Sequence, residues 1–587
     1  DYDLYEISIF DGGYYRRFEN HVPLLLKKNH VNRFVKLSKD QISLELPLHL
    51  PETIEFFLED EDNKQNEITY ETYNQAFIVS QLLNITEAGS ALNKLRERLI
   101  TSEEIDPILI KHKQDIQQEI EAAYNMLHTK NNVLDLLDAK NLEEELLSKQ
   151  MQLASINEKI FVESPDNENI HQKIYELSDV INMLKKGEAL IFNFTADGTH
   201  ISWCISHDGT VKMNKFLPFQ STDDNAYGFF SFAGANKNFR EIIKYKTAGE
   251  IGEYLAMFGE SDDEKINNHS LEFAQEGYFN GVYKLIIEPY EDILKNQEKI
   301  IFLSGGNEFS KMPYSILRSS KHENYLGYDY IISNLVSFNS LEFREELEPI
   351  DKSNATFLGV GNPVFSSNQE MAKLLDINTI IEKLFRGSEI ADRYILQQFE
   401  ELPQTEIELK TISKKFKSLN SKLLLQRDAS ETKIKSMDLT NWDIISFSTH
   451  SISGYGLNEP GLILSLPKES TKKDDGVLVG SEIAKLKLNA KLVVLSACDT
   501  AAGKNTDSEI LSGLGRAFLY AGAENLIVSH WPVEDRSTAI LMSNFFYYWL
   551  DENYEPAEAL RLAQLELLSM PEYEHPVYWA GFAYYGI

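Results

Sequence analysis

Five short runs of nearly unbroken apolar residues constrain this chain more than any other feature. They are Thr356-Phe357-Leu358-Gly359-Val360, Lys422-Leu423-Leu424-Leu425, Asp443-Ile444-Ile445-Ser446-Phe447-Ser448, Leu492-Val493-Val494-Leu495 and Asn525-Leu526-Ile527-Val528. A strand with one wet face alternates apolar and polar residues; runs that do not alternate suit strands covered on both faces. Helical stretches separate them: Thr405 and Glu408 have capping-box spacing for a helix running to Phe416, and Leu514 to Ala521 forms another. The pattern predicts an α/β fold with a parallel sheet between helical layers. Sites in such sheets form beyond the carboxyl ends of strands. Two segments occupy that place, Thr449-His450 and Ala497-Cys498-Asp499-Thr500.

The chain has 587 residues, enough for two to four domains. Near the start, Ile42-Ser43-Leu44-Glu45-Leu46 reads as a half-buried strand ended by Pro47, and Glu59-Asp60-Glu61-Asp62 as a solvated loop. From about 71 to 186 the pattern is helical. Leu142, Leu146, Leu153, Ile156 and Ile160 form one apolar stripe, which fits a bundle or hairpin packed on a neighbour, or the end of a helical-repeat array. At about 187 the texture changes to short strands, Ala189 to Phe194, His200 to Ile205 and Val211 to Met213, separated by Asp197-Gly198 and Asp208-Gly209 turns. Lys299 to Leu303 is a further strand. Residues 1–186 therefore form a mainly helical N-terminal region, ahead of a strand-rich remainder.

Charge and composition exclude several function classes. A net charge of −34 disfavours direct nucleic-acid binding and anionic membranes, both of which need clustered cations, and suits protein partners better. No apolar run is long enough to span a bilayer, and the opening Asp1-Tyr2-Asp3 is no signal peptide. The missing initiator Met points to a piece of a longer chain. Only two cysteines, Cys204 and Cys498, favour a reducing, cytoplasmic setting. Cys204 lies inside a strand, where a small buried apolar residue is the plain account. Neither cysteine has metal-ligand spacing and no His-Glu-x-x-His occurs, so neither metal nor cofactor is expected. Gly503-Lys504-Asn505 lacks the rest of a phosphate loop, and no Gly-x-Ser-x-Gly elbow is present. Gly359-Val360-Gly361 lacks the third glycine of a dinucleotide fingerprint and reads as a tight turn.

What remains is a thiol and an imidazole. A thiol becomes a strong nucleophile when an imidazole takes its proton, and that imidazole can then protonate a leaving amine. His450 and Cys498 stand 48 positions apart at the ends of two successive core strands. That is close to the roughly 50 residues of caspases, whose Gln-Ala-Cys signature is absent here. By themselves a His and a Cys at strand ends are more often structural than catalytic.

The surrounding motifs add a resemblance. Trp442 to His450, Leu495-Ser496-Ala497-Cys498-Asp499-Thr500, Gly513-Leu514-Gly515-Arg516-Ala517-Phe518, Ala521-Gly522-Ala523, Trp531-Pro532-Val533-Glu534-Asp535 and His575-Pro576-Val577-Tyr578-Trp579-Ala580-Gly581-Phe582 follow in order. From about 187 to the end, this run resembles the CHAT family of caspase-like cysteine proteases, related to separase and often joined to tetratricopeptide repeats. The resemblance implies a caspase-like sheet with an inactive half at 187–350 and an active half at 351–587. It implies peptide-bond hydrolysis with Cys498 as nucleophile and His450 as base, and an oxyanion held by N–H groups of Cys498 and the Ser451 to Gly454 loop. Two departures stand out: Ser451 where the family has Gly, and His530 where it has an aliphatic residue. His530 reads as a packed strand-end histidine.

By its place after Trp531, Asp535 matches the acid with which separase-like relatives read a basic residue before the cut; it could equally cap a helix starting near Arg536. Asp499 is a second acidic candidate beside the nucleophile. The expected partners are a protein substrate and an activating protein or upstream sensor, with loops 454–458 and 504–509 awaiting it. Kinship with bacterial CHAT proteins implies a link to antiviral defence. The competing expectation is a protease-like scaffold, catalytically silent, serving protein–protein interaction.

Overall fold

In a computed structural model, the described residues are 70–83, 149, 174–196, 199–216, 279–304, 312–319, 324–344, 350–365, 384, 390–452, 460–496, 513–531 and 534–586. Residues 1–83 and 84–587 separate into two units. In the first, helix α1 (Tyr70–Leu83) falls where the helical pattern begins. The Ile42 to Leu46 strand, the acidic run and the Leu142 to Ile160 stripe lie outside the described residues.

The second unit is built on an eleven-stranded sheet. Its strands are β1 (Glu188–Ala196), β2 (Thr199–Ser206), β3 (Val211–Phe216), β4 (Lys299–Ser304), β5 (Ile331–Leu335), β6 (Phe357–Gly361), β7 (Ser421–Leu425) and β8 (Ile444–Ser448). A small three-stranded sheet intervenes: β9 (Ser451–Ile452), β10 (Gly461–Ile463) and β11 (Val477–Val479). β12 (Leu492–Ser496), β13 (Leu526–Ser529) and β14 (Phe582–Tyr585) complete the large one. Its order is β3-β2-β1-β4-β5-β14-β13-β12-β8-β6-β7. Every sequence-expected strand from 187 onward is present.

The sheet is mixed rather than wholly parallel. β1–β2, β2–β3 and β13–β14 run antiparallel, while β4 to β5 and β13 through β12, β8 and β6 to β7 are parallel. The Asp208-Gly209 turn makes the antiparallel β2–β3 hairpin possible, with Gly209 at positive φ. β5 and β14 were hidden in sequence because Ile331-Ile332-Ser333-Asn334-Leu335 and Phe582 to Tyr585 carry polar or aromatic breaks. β14 pairs with β5 through Asn334, which also donates its side-chain amide to Tyr584 O at 3.1 Å.

Both faces of the central strands are covered, as their composition demands. β6, β8, β12 and β13 are buried throughout, whereas the edge strand β7 is half-wet. Four helices of this region bear on the argument: α2 (Pro403–Ser413), α3 (Glu431–Ser436), α4 (Gly480–Ile483) and α5 (Gly513–Ala521). Two longer ones follow, α6 (Asp535–Phe546) and α7 (Pro556–Leu568). Leu409 and Ile412 of α2 join Leu541, Met542, Phe545 and Phe546 of α6 in one core with Phe357, Ile444, Leu492, Val494 and Ile527. Each such side chain contributes about 1.5–3 kcal/mol by leaving water. On the other face Phe518 of α5 meets Phe447 at 5.2 Å between ring centroids.

Two local expectations are corrected. Thr405 and Glu408 do not form a capping box: α2 starts at Pro403, whose fixed φ suits the first helical position, and the cap residue Leu402 makes no side-chain bond. Thr405 lies in the first turn of the helix and Glu408 in the second, both buried. Gly359-Val360-Gly361 is no turn but the body of β6, where a Cβ at Gly361 would meet Leu409 at 2.6 Å and the Ser448 carbonyl at 2.9 Å. The glycines let α2 lie against the sheet.

Candidate active site

β8 and β12 are parallel neighbours in unbroken register from Leu492 opposite Ile444 to Ser496 opposite Ser448. His450 is two residues past Ser448 and Cys498 two past Ser496. The two candidate groups thus follow adjacent strands at equal offsets along the chain. Cys498, Asp499 and Gly454 lie outside the described residues.

His450 is held from several sides. Its backbone oxygen accepts from Ile463 N at 2.8 Å, and Thr449 Oγ1 donates to Ile463 O, which fastens the segment to β10. The ring packs against Phe365 and Phe399, with centroids 5.6 and 5.3 Å away. Its Nε2 lies 2.8 Å from Glu400 O. A carbonyl oxygen can only accept, so Nε2 carries the proton and the neutral ring presents the lone pair of Nδ1. Burial among the phenyl rings holds the imidazole below its usual range, against a smaller upward pull from Glu400. The side chain is therefore a neutral base near pH 7. Ser451 opens β9, so the chain is already strand just after the base.

Asp535 is the first residue of α6, and it does not cap the helix. Glu534 does, accepting from Ser537 N at 2.7 Å. The reading of Asp535 as cap fails because Glu534, one residue earlier, has the extended backbone a cap needs. The Asp535 carboxyl makes no hydrogen bond to another described residue. Burial raises its carboxyl above the normal range, and the nearby charges of Glu534 and Glu400 raise it further.

Sequence reasoning missed Glu408. It is 1% exposed and accepts a hydrogen bond from Ser448 Oγ at 2.9 Å. Burial pushes its carboxyl up to about 8, with Asp535 adding to the rise and the serine opposing it. Its only sequence signal was its place on the apolar face of α2, beside Leu409 and Ile412, masked by the capping-box spacing. Among the described residues no cation acts on either Glu408 or Asp535.

His530 fits the structural reading: it is buried just after β13, and its backbone N–H donates to Gly581 O at 2.7 Å. Trp531 beside it is buried, with Nε1 donating to Val577 O at 3.0 Å. Cys204 is a free, buried thiol whose pKa burial drives far upward, so it is chemically quiet. Among the described residues no group of three His, Cys, Asp or Glu could hold a metal ion, and no helix is long and apolar enough to cross a membrane.

The CHAT domain family matches residues 277–587, more than half of the chain. The chain belongs to the CHAT family. Curated relatives of this CHAT protein include tetratricopeptide repeat protein 28 of Homo sapiens and of Mus musculus, each 24% identical over 343 residues. The match covers 52% of this chain but 13% of each relative's length. Among solved structures, the Saccharomyces cerevisiae separase–securin complex aligns with 95% of this chain and 43% of its own, at 12% identity and a TM-score of 0.34. Porphyromonas gingivalis RgpB, in the complex of its pro- and mature domains, aligns with 54% of this chain and 68% of its own, at 8% identity and a TM-score of 0.31. Scores at this level carry no functional argument. The family match, with a mixed sheet flanked by helices, makes the CHAT region caspase-like in architecture.

Proposed function

We propose that this CHAT protein is a cysteine endopeptidase in which His450 activates Cys498. The observation that carries the reading is the paired register of β8 and β12, with the Nδ1 lone pair left by the Glu400 contact. In the proposed reaction Nδ1 takes the thiol proton, and the sulfur attacks the carbonyl carbon of the scissile bond. The oxyanion accepts N–H bonds from Cys498 and the 451–454 loop. The imidazolium then protonates the leaving amine, and water, deprotonated by Nδ1, releases the acyl group and restores the thiol. Asp535 is assigned to a pocket for a basic residue before the cut: a half-buried acid with no cap role and, among the described residues, no cation beside it favours a cationic guest. Asp499 is the second candidate there.

In this reading 187–350 is the inactive half and 351–587 the active half, the substrate is a protein, and a partner opens the site. The test is cleavage of a peptide library, with basic, acidic and apolar residues varied before the cut, by wild type and Cys498→Ala. Cleavage lost in the variant supports the reading. Equal cleavage by both overturns it, and silence from both, even with candidate partners added, favours a scaffold.

A further inference from the structure

One hydrogen bond joins the two parts of the chain that grip the imidazole. The base side is β8, which ends at Ser448 and leads through Thr449 to His450. The acceptor side is the segment before α2, where Phe399 packs on the ring and Glu400 O takes the Nε2 proton. Glu408, on α2, accepts from Ser448 Oγ at 2.9 Å and so pins α2, with its leading segment, to the end of β8. Gly361 lets α2 approach this closely, since Leu409 and the Ser448 carbonyl fill the space where a Cβ would stand.

We propose that Glu408 is a positioning residue for His450, acting as a buried neutral acid whose ionisation loosens the grip on the imidazole. The inference rests on the dyad reading for its catalytic meaning, although the grip itself is independent of it. Among the described residues, the charge that bears on Glu408 is that of Asp535. Asp535 stands at the start of α6, where Glu534 beside it and Glu400 on the leading segment in turn raise its own carboxyl. On its own helix Glu406 is paired outward with Lys410 at 2.6 Å. A carboxylate that is 1% exposed, beside that acid and with no cation among the described residues acting on it, is costly, so the folded state keeps the proton to about pH 8. The relief open to an ionised Glu408 is water, which it reaches only by drawing α2 away from Ser448. That movement carries Phe399 and Glu400 from the ring.

The test reads His450 directly, as its rate of modification by diethyl pyrocarbonate, followed by mass spectrometry of the peptide that contains it. The reagent attacks neutral imidazole, so a well-enclosed ring gives a flat rate above pH 7. In wild type the rate should climb several-fold as pH passes about 8, where Glu408 ionises. Glu408→Gln keeps the acceptor but cannot ionise, and should stay flat. Ser448→Ala removes the stabilising bond and should move the rise upward in pH. In peptide cleavage the same ionisation should appear as an alkaline loss of about tenfold in kcat/KM, absent from Glu408→Gln. Superimposed modification profiles for wild type and Glu408→Gln would overturn the proposal. Cleavage that survives Cys498→Ala would instead overturn the dyad, leaving the modification result to stand by itself.

Discussion

The imidazole of His450 donates its Nε2 proton to the backbone oxygen of Glu400 at 2.8 Å, so the orienting partner of the base is main chain. Mutating the Glu400 side chain cannot remove that acceptor. Glu400→Ala should therefore leave cleavage within about threefold of wild type, whereas His450→Ala should lower kcat/KM by about 10²–10⁴. Steady-state kinetics on one peptide measures both. A large loss in Glu400→Ala would mean that its carboxylate, not its carbonyl, orients the ring.

The phenyl walls set the acid limit of the same base. Burial lowers the imidazole pKa, so wild type keeps a neutral Nδ1 to a lower pH than a free histidine, whose pKa is about 6.5. Phe399→Ala admits water on one side of the ring and raises that pKa. The acid limb of the kcat/KM profile should move up, with a marked loss at pH 6 and little change at pH 8. An acid limb that stays in place would show that Phe399 is not what desolvates the ring.

How far the sequence led depended on the kind of interaction. The unbroken apolar runs at Ile444 and Leu492 revealed strands covered on both faces, because burial on two sides leaves no room for alternation. That was enough to put His450 and Cys498 after neighbouring strands. β14 was not legible, since it bonds β5 across 250 residues and its Phe-Ala-Tyr-Tyr run has no pattern that specifies either that parallel partner or the antiparallel β13. Glu408 was misread for a related reason. Capping-box spacing is a local signal, while the apolar face of α2 and the opposing Ser448 are tertiary facts. The Glu400 contact was invisible because any residue there supplies the same carbonyl.

Asp535 makes a prediction about selectivity. An acid that caps no helix and, among the described residues, has no cation beside it is available to a guanidinium or ammonium group. Asp535→Asn should reduce kcat/KM for peptides with Arg or Lys before the cut by about a hundredfold, equivalent to roughly 2–3 kcal/mol, with little change for Leu peptides. Competition between Arg and Leu peptides in one tube measures the ratio. An unaltered ratio assigns the pocket to another residue, Asp499 first.

The last prediction concerns the ion cluster behind the small sheet. Glu431 of α3 is 1% exposed and accepts from Asp475 N at 3.0 Å and Gly476 N at 3.1 Å, holding the turn into β11. Lys435 bonds both Glu431 and Glu482 of α4, tying the two helices to the same turn. Burial pushes Glu431 up to about 7 despite that cation, so folding stability falls as pH rises from about 4.5 and levels off above 7. Lys435→Met removes the cation and raises the folded pKa further, so its stability should keep falling where wild type has levelled. At pH 8 the variant leaves a buried carboxylate unpaired, a loss of about 3–5 kcal/mol, and at pH 5 the protonated acid makes the loss smaller. Urea unfolding at the two pH values gives the comparison. A loss equal at both would mean that the lysine contributes packing rather than charge. Because Ile463 of β10 also bonds the His450 backbone, a loosened β11 should weaken cleavage at pH 8 before the fold itself gives way.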